Sequence, residues 1–247
     1  MRLSLEFSLP CREQVDLGGI LPGTLLPLSR AQIARLPVLV AGQKVPLGEL
    51  CRLSTASRLP DALHLLGDTA LLEFVGSGMT SGLLVVEGDA GFGAGQAMRG
   101  GRLELRGSGG DRLGASLQGG LILVQGNAGR ELGCAMRRGV IYVTGNTAEF
   151  CASRMQAGTI LCAGRVGRHA GAGMRRGSLV AGTMEGLLPG FREAGSADPG
   201  WLGICLAELA NLGVPVPPGW LGAAPRRWTG DHLESGKGEI LIHDEAQ

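Results

Sequence analysis

The sequence is poor in the features that usually announce a function. Only 4% of its 247 residues are aromatic, namely five Phe, three Trp and one Tyr. Beside 44 glycines, that composition alone describes a low-complexity chain. A formal net charge of +1 gives no general case for binding nucleic acid or a membrane surface. No apolar run approaches the roughly 20 residues of a membrane span. The start, Met1-Arg-Leu-Ser-Leu-Glu6, lacks the apolar centre of a secretion signal, so a cytoplasmic location is expected.

Signatures of catalysis are equally scarce. The four histidines, His64, His169, His232 and His243, have no second histidine at metal-binding spacing. The six cysteines, Cys11, Cys51, Cys134, Cys151, Cys162 and Cys205, form no CxxC pair and no zinc spacing. Reduced cysteines that simply pack are expected. No serine occupies a nucleophile elbow, and no paired carboxylates recur on one face as polysaccharide cleavage would require. Gly91-Phe-Gly-Ala-Gly95 looks superficially like a phosphate loop, but such stretches recur once per repeat and do not join a strand to a helix. The expectation is no catalytic and no metal-binding residue in this chain.

What the sequence does contain is a period. Met79, Met98, Leu117, Met136, Met155 and Met174 are 19 residues apart at every step. Three residues after each stands a glycine, from Gly82 through Gly139 and Gly158 to Gly177. Further glycine ladders start at Gly88, Gly91 and Gly95 in the same register. A period held without slippage is the mark of a repeat architecture. Within each repeat, the columns Leu84–Leu103–Ile122–Ile141–Ile160–Leu179 and Val86–Leu105–Val124–Val143–Cys162–Ala181 are apolar, and the column between them admits Glu104 and Tyr142. Alternation with period two is a strand with one buried face. The methionine column and the column Ala94, Leu113, Leu132, Cys151, Ala170 are expected to point inward as packing.

No repeat has room for a crossover helix. The expected fold is therefore mainly β: a right-handed parallel β-helix with 19-residue coils, whose glycines occupy corners with positive φ. Three parts are expected: an N-terminal α/β cap (1–62), the β-helix (63–185, with 63–77 a degenerate first coil), and a C-terminal helix and extended tail (186–247). In the cap, Leu3, Leu5 and Phe7 alternate like a strand, Ser29 caps a short helix ending before Pro37, and a hairpin turns near Gly42. A helix is expected to end at Gly213, a strand to close the tail, and Trp201, Trp220 and Trp228 to cover the last coil or anchor a partner.

Two surface features carry the functional reading. Arg99, Arg137 and Arg175 alternate with Gln118 and Gln156 in one column, with Arg138 and Arg176 beside it, a stripe suited to an acidic partner or ligand. The outward residues Leu83, Val85, Leu121, Leu123, Val140, Tyr142 and Leu161 are expected to form an exposed apolar face that docks a partner.

The repeats, with Gly126-Asn-Ala-Gly129 and Gly171-Ala-Gly-Met-Arg-Arg-Gly177, resemble the GXGXG β-helix. That domain closes the large subunit of glutamate synthase and makes up the C-type subunit of formylmethanofuran dehydrogenase. The flanks Leu28-Ser-Arg-Ala-Gln-Ile-Ala-Arg-Leu-Pro-Val38, Val75-Gly-Ser-Gly-Met-Thr-Ser-Gly82 and Leu187-Leu-Pro-Gly-Phe191 look like this C-type subunit, and the resemblance covers about residues 25 to 195.

Subunits of this type occur in two settings. In methanogens they belong to a tungsten or molybdenum iron–sulfur enzyme that makes formylmethanofuran. In methylotrophic bacteria they belong to the formyltransferase/hydrolase complex of one-carbon metabolism, which moves formyl from formyl-tetrahydromethanopterin to a methanofuran analogue and releases formate. A composition rich in Leu, Ala, Gly and Arg favours the second. The resemblance implies that catalysis lies on partners: a zinc amidohydrolase-like A-type subunit and a formyltransferase D-type subunit, assembled with a B-type subunit. It implies no cofactor bound by this chain, although the complex uses a methanofuran analogue and tetrahydromethanopterin. The glutamate-rich tails of such analogues make Arg99, Arg137, Arg138, Arg175 and Arg176 a candidate site for an anionic tail. A glutamate synthase-type structural domain and a stand-alone sugar-active solenoid remain as alternatives.

Overall fold

In the computed structural model, residues 2–9, 13–56, 61–196, 199–222 and 224–243 are described; Cys11 lies outside them. The alternating Leu3, Leu5 and Phe7 form β1 (Arg2–Phe7) and are buried. After β2 (Val15–Asp16) come two short helices, α1 (Pro22–Leu25) and α2 (Arg30–Ala34). Ser29 caps α2 by accepting from the Gln32 amide, while Gln32 Oε1 accepts the Ser29 N–H at 2.9 Å, so two orphan donors are satisfied reciprocally. The hairpin β3 (Pro37–Val40) and β4 (Gln43–Pro46) turns at Ala41–Gly42. Strands β5 (Cys51–Ala56) and β6 (Ala62–Gly67) then flank β1, and β7 (Leu72–Glu73) pairs with β2.

Each repeat adds one strand: β8 (Leu83–Val86), β9 (Arg102–Leu105), β10 (Leu121–Val124), β11 (Val140–Val143), β12 (Thr159–Val166) and β13 (Arg176–Met184). Neighbours pair in parallel with a 19-residue offset that sets Leu103, Ile122, Ile141, Ile160 and Leu179 side by side. The step into the first repeat is longer, since Leu63 lies opposite Leu84. A second run of parallel bridges joins Ala90, Gly109, Ala128, Thr147 and Val166.

The chain closes with β14 (Arg192–Ser196), α3 (Trp201–Asn211), β15 (Arg226–Gly230) and β16 (Lys237–Ile242). The strand expected to close the tail is β16, which joins β13 in parallel, and β15 and β14 continue antiparallel. The protein is mainly β, with a large, mostly parallel sheet in the order β14-β15-β16-β13-β12-β11-β10-β9-β8-β6-β1-β5, a small sheet β4-β3-β2-β7, and few helices.

The inward columns form one core. Every member of the methionine, Leu84, Val86 and Ala94 columns is buried, most of them completely. The glycines divide into two physical classes, which corrects the expectation that all sit at positive-φ corners. Gly139 and its column mates have φ between 81° and 102°. Gly145 and its mates do not; they are glycine because a Cβ on Gly145 would lie 2.6 Å from the Gly126 carbonyl oxygen of the preceding repeat. Beside them, Asp89, Ser108, Asn127 and Asn146 each accept, through a side-chain oxygen, the backbone N–H one repeat further on, at 2.6 to 3.1 Å. This ladder is the physical content of the recurring Gly-[Asn/Asp]-Ala-Gly pattern.

The expected exposed apolar face is also corrected. Val85, Leu123, Tyr142 and Leu161 are buried, and Leu83, Leu121 and Val140 are half-buried. The chain covers this face itself. Leu202, Leu206 and Leu209, at helical spacing on α3, pack with Val214 and Trp220 onto Leu123, Tyr142, Leu161, Val180 and Leu241. The Tyr142 hydroxyl donates to the Pro215 carbonyl at 2.6 Å. Burial pushes that phenol up to about 12. Trp201 and Trp220 therefore lie on the outer face, while Trp228 joins the main core near its end, stacked under the Arg226 guanidinium.

Candidate functional site: a basic edge

Each member of the arginine stripe follows a buried residue of the methionine column, and this places the stripe. The amides of Arg99, Gln118, Arg137, Gln156 and Arg175 donate to the carbonyls of Met79, Met98, Leu117, Met136 and Met155 at 2.7 to 2.8 Å. One residue points in and the next must point out. Arg99, Arg137, Arg138, Arg175 and Arg176 are all exposed, as is Gln156, while Gln118 is half-buried. At about 4.8 Å per strand step, arginines two repeats apart stand about 10 Å from one another.

Only one of the five is held by an ion pair among the described residues: Arg175 Nε lies 3.1 Å from Glu234 Oε2. The Ser235 hydroxyl also donates to the Arg175 carbonyl, anchoring the loop before β16 beside the stripe. A shallow hollow of about 290 Å³ opens here, lined by Ala135, Arg154, Gln156, Gly173, Arg175 and Glu234. Arg154 belongs to a different column, and the stripe pattern did not point to it. Its guanidinium donates to Cys134 Sγ at 3.2 Å.

Several other polar groups are tied into structure. Glu104, 8% exposed, sits between Arg102 at 2.8 Å and Arg106 at 2.9 Å. Asp231 accepts from the amides of Gly173 and Leu233. Among the described residues, Cys51, Cys134, Cys151 and Cys162 are buried free thiols and Cys205 is half-buried. Burial raises Cys51 and Cys162 to about 12 and pushes Cys151 and Cys205 up as well, which keeps them protonated and unreactive near neutral pH. His64 lies 3.3 Å from Glu87, His169 stacks on Phe150, and His243 stacks on Trp220. Burial holds the His243 imidazole below its ordinary value. Among the described residues, no three His, Cys, Asp or Glu side chains gather as a metal site. No helix among them is long and apolar enough to cross a membrane.

No protein-family model matches the chain, and no curated protein sequence is significantly similar to it. Among solved structures, it is similar to a chain of the formyltransferase/hydrolase complex (FhcABCD) from Methylorubrum extorquens, a crystal structure in complex with methylofuran. The two share 33% identity and a TM-score of 0.84, over 98% of this chain and 100% of that one. A third of the residues identical along that chain's whole length cannot come from shared architecture alone, and the protein belongs to the same family as this component of the formyltransferase/hydrolase complex.

Proposed function

We propose that this chain is the non-catalytic, C-type component of a formyltransferase/hydrolase complex in one-carbon metabolism. Its repeats wind as a right-handed parallel β-helix, a reading supported by the 19-residue offset of β8 to β13 and by the second run of bridges from Ala90 to Val166. Its partners are the amidohydrolase-like A-type, the B-type and the formyltransferase D-type subunits, in the cytoplasm. Together they transfer formyl from formyl-tetrahydromethanopterin to a methanofuran analogue and release formate. The observation that carries this is the full-length similarity to a chain of the complex crystallised with methylofuran. The same full-length match makes a glutamate synthase-type domain the weaker reading. A β-stack suits a brace because its contacts are local and its sides keep their shape when partners dock. Co-expressed with its neighbours, the tagged chain brings down amidohydrolase- and formyltransferase-like proteins, and on its own it turns over no formyl donor. Turnover by the purified chain alone would refute the role.

The basic edge is proposed to hold the anionic, glutamate-rich tail of the methanofuran analogue. Arg99, Arg137, Arg138 and Arg176 support this because none has a carboxylate partner among the described residues, although all are exposed. As screened surface charges they act mainly at low ionic strength. The double variant Arg137→Glu and Arg175→Glu therefore raises the apparent KM of the assembled complex for the tailed cofactor, more at low salt than at high. A KM unchanged from that of the parent complex at both salt concentrations would leave the stripe as an ordinary solvated face or a protein contact.

A further inference from the structure

Opposite demands meet at one corner of the repeat. The column Phe74, Gly93, Arg112, Glu131, Phe150 and His169 has positive φ at every member, between 53° and 70°. A second positive-φ column, four residues on, holds Gly78, Ala97, Ser116, Ala135 and Gly173, the small residues that such a backbone favours, with Arg154 its one large member. In the first column the sequence instead keeps large aromatic and charged side chains in the strained conformation. Such outliers point to function when the surroundings do not require them.

These side chains make a continuous surface with the neighbouring column. Phe74 meets Phe92 edge to face at 5.5 Å, and Arg112 lies over Phe92. Arg112 faces Glu131, and Arg130 faces Glu149. Arg130 also lies over Phe150, which stacks on His169 at 4.9 Å. Phe7 and Phe191 are buried in the core, whereas Phe74, Phe92 and Phe150 are half-exposed here. Thus three of the five phenylalanines of a chain very poor in aromatics stand on one outer corner.

We propose that this aromatic–arginine ribbon is the docking surface for a folded partner protein whose contacting face is apolar at its centre and carries no strong net charge. Aromatic residues and arginine are the types enriched where proteins bind one another. The ribbon neutralises its own charges, since Glu131 faces Arg112 and Glu149 faces Arg130, with Asp111 beside them. It therefore offers little to a charged ligand, unlike the basic edge. Its length also selects a protein. Five repeat steps at about 4.8 Å span roughly 24 Å, the width of a standard interface side of about 800 Å². A small molecule would fill only the hollow of about 340 Å³ lined by Phe92, Asp111, Arg112, Arg130 and Glu131. The inference rests on the reading that the chain works inside an assembly.

The test is hydroxyl-radical footprinting of the tagged chain isolated from its own cells, before and after the assembly is dissociated. Labelling of Phe92 and Phe150 should fall at least fivefold in the assembly, while buried Phe191 stays low in both states. Phe150→Gly and Arg112→Gly should keep or raise the Tm of the isolated chain and weaken its association at least tenfold. The identity of the co-purifying proteins tests the proposed complex separately; protection with unexpected partners would refute that complex and keep the ribbon. Full labelling of both phenylalanines in the assembly overturns the ribbon, as does a chain that purifies alone. Protection of Phe92 without Phe150 would mean a small ligand in the single hollow and also overturns it. Glycine variants that lose Tm and association in proportion would make the side chains mere braces between repeats.

Discussion

Replacing Ile141 by alanine lowers the unfolding free energy by about 2–5 kcal/mol, and the upper half of that range is expected. The cost of a large-to-small change depends on how well its surroundings collapse. Ile141 is fully buried, and its Cδ1 reaches the turn on the far side of the core, where Gly114 and Gly133 stand. A Cβ on Gly114 would lie 2.5 Å from that Cδ1, and one on Gly133 would lie 3.4 Å away. The void left by alanine therefore faces glycine backbone, which has no side chain to swing inward, and the ladder hydrogen bonds hold that backbone in place. Equilibrium urea unfolding gives the measurement, as a lower midpoint. The exposed Gln156→Ala serves as the control and should stay within about 0.5 kcal/mol of the parent. If the control is worse than Ile141→Ala, the inward columns are wrongly assigned.

Gly139→Val is expected to cost a similar amount for a different reason. Gly139 has φ of 102°, and a side chain in a left-handed conformation costs about 1–2 kcal/mol by itself. A Cβ there would also lie 2.8 Å from the Gly120 carbonyl oxygen and 3.0 Å from Leu117 Cδ2. That oxygen accepts the Val140 N–H at 3.0 Å, so relief of the clash must open a rung of the ladder. Overpacking of this kind adds about 1–3 kcal/mol. Gly139→Ala measures the φ strain and the Cβ contacts together, because it keeps both but adds no branched methyls; the remainder of the valine cost belongs to those methyls. An alanine variant as stable as the parent would show that the corner tolerates side chains, as the Arg112 and Phe150 corner does.

The period, the inward columns and the strand register were legible in the sequence because each depends on neighbours at fixed separation. A residue 19 positions away lies alongside wherever the repeat is regular, so the Leu84 and methionine columns report their own burial. The cap of α2 was legible for the same reason, since Ser29 and Gln32 satisfy one another within four residues. The arginine stripe likewise follows from standing next to a buried methionine column.

What only the tertiary structure decided involves contacts with no periodic signature. The outer face reads as exposed because Tyr142 and Leu161 alternate with inward residues, and nothing in the repeat names their cover. That cover arrives from Leu202, Leu206 and Leu209, far along the chain, in a helix whose own sequence does not specify which surface it meets. The same holds for β16, which extends the ladder beyond β13 although it lacks the repeat pattern. The two classes of glycine look identical in sequence; one answers to φ and the other to the approach of the preceding backbone. The large side chains at Phe74, Arg112, Glu131, Phe150 and His169 gave no sequence signal either, because only the backbone conformation makes their presence costly. Periodic local packing is written into a repeat sequence, whereas which non-repetitive segment lies on which face is settled by apolar burial, a force without direction.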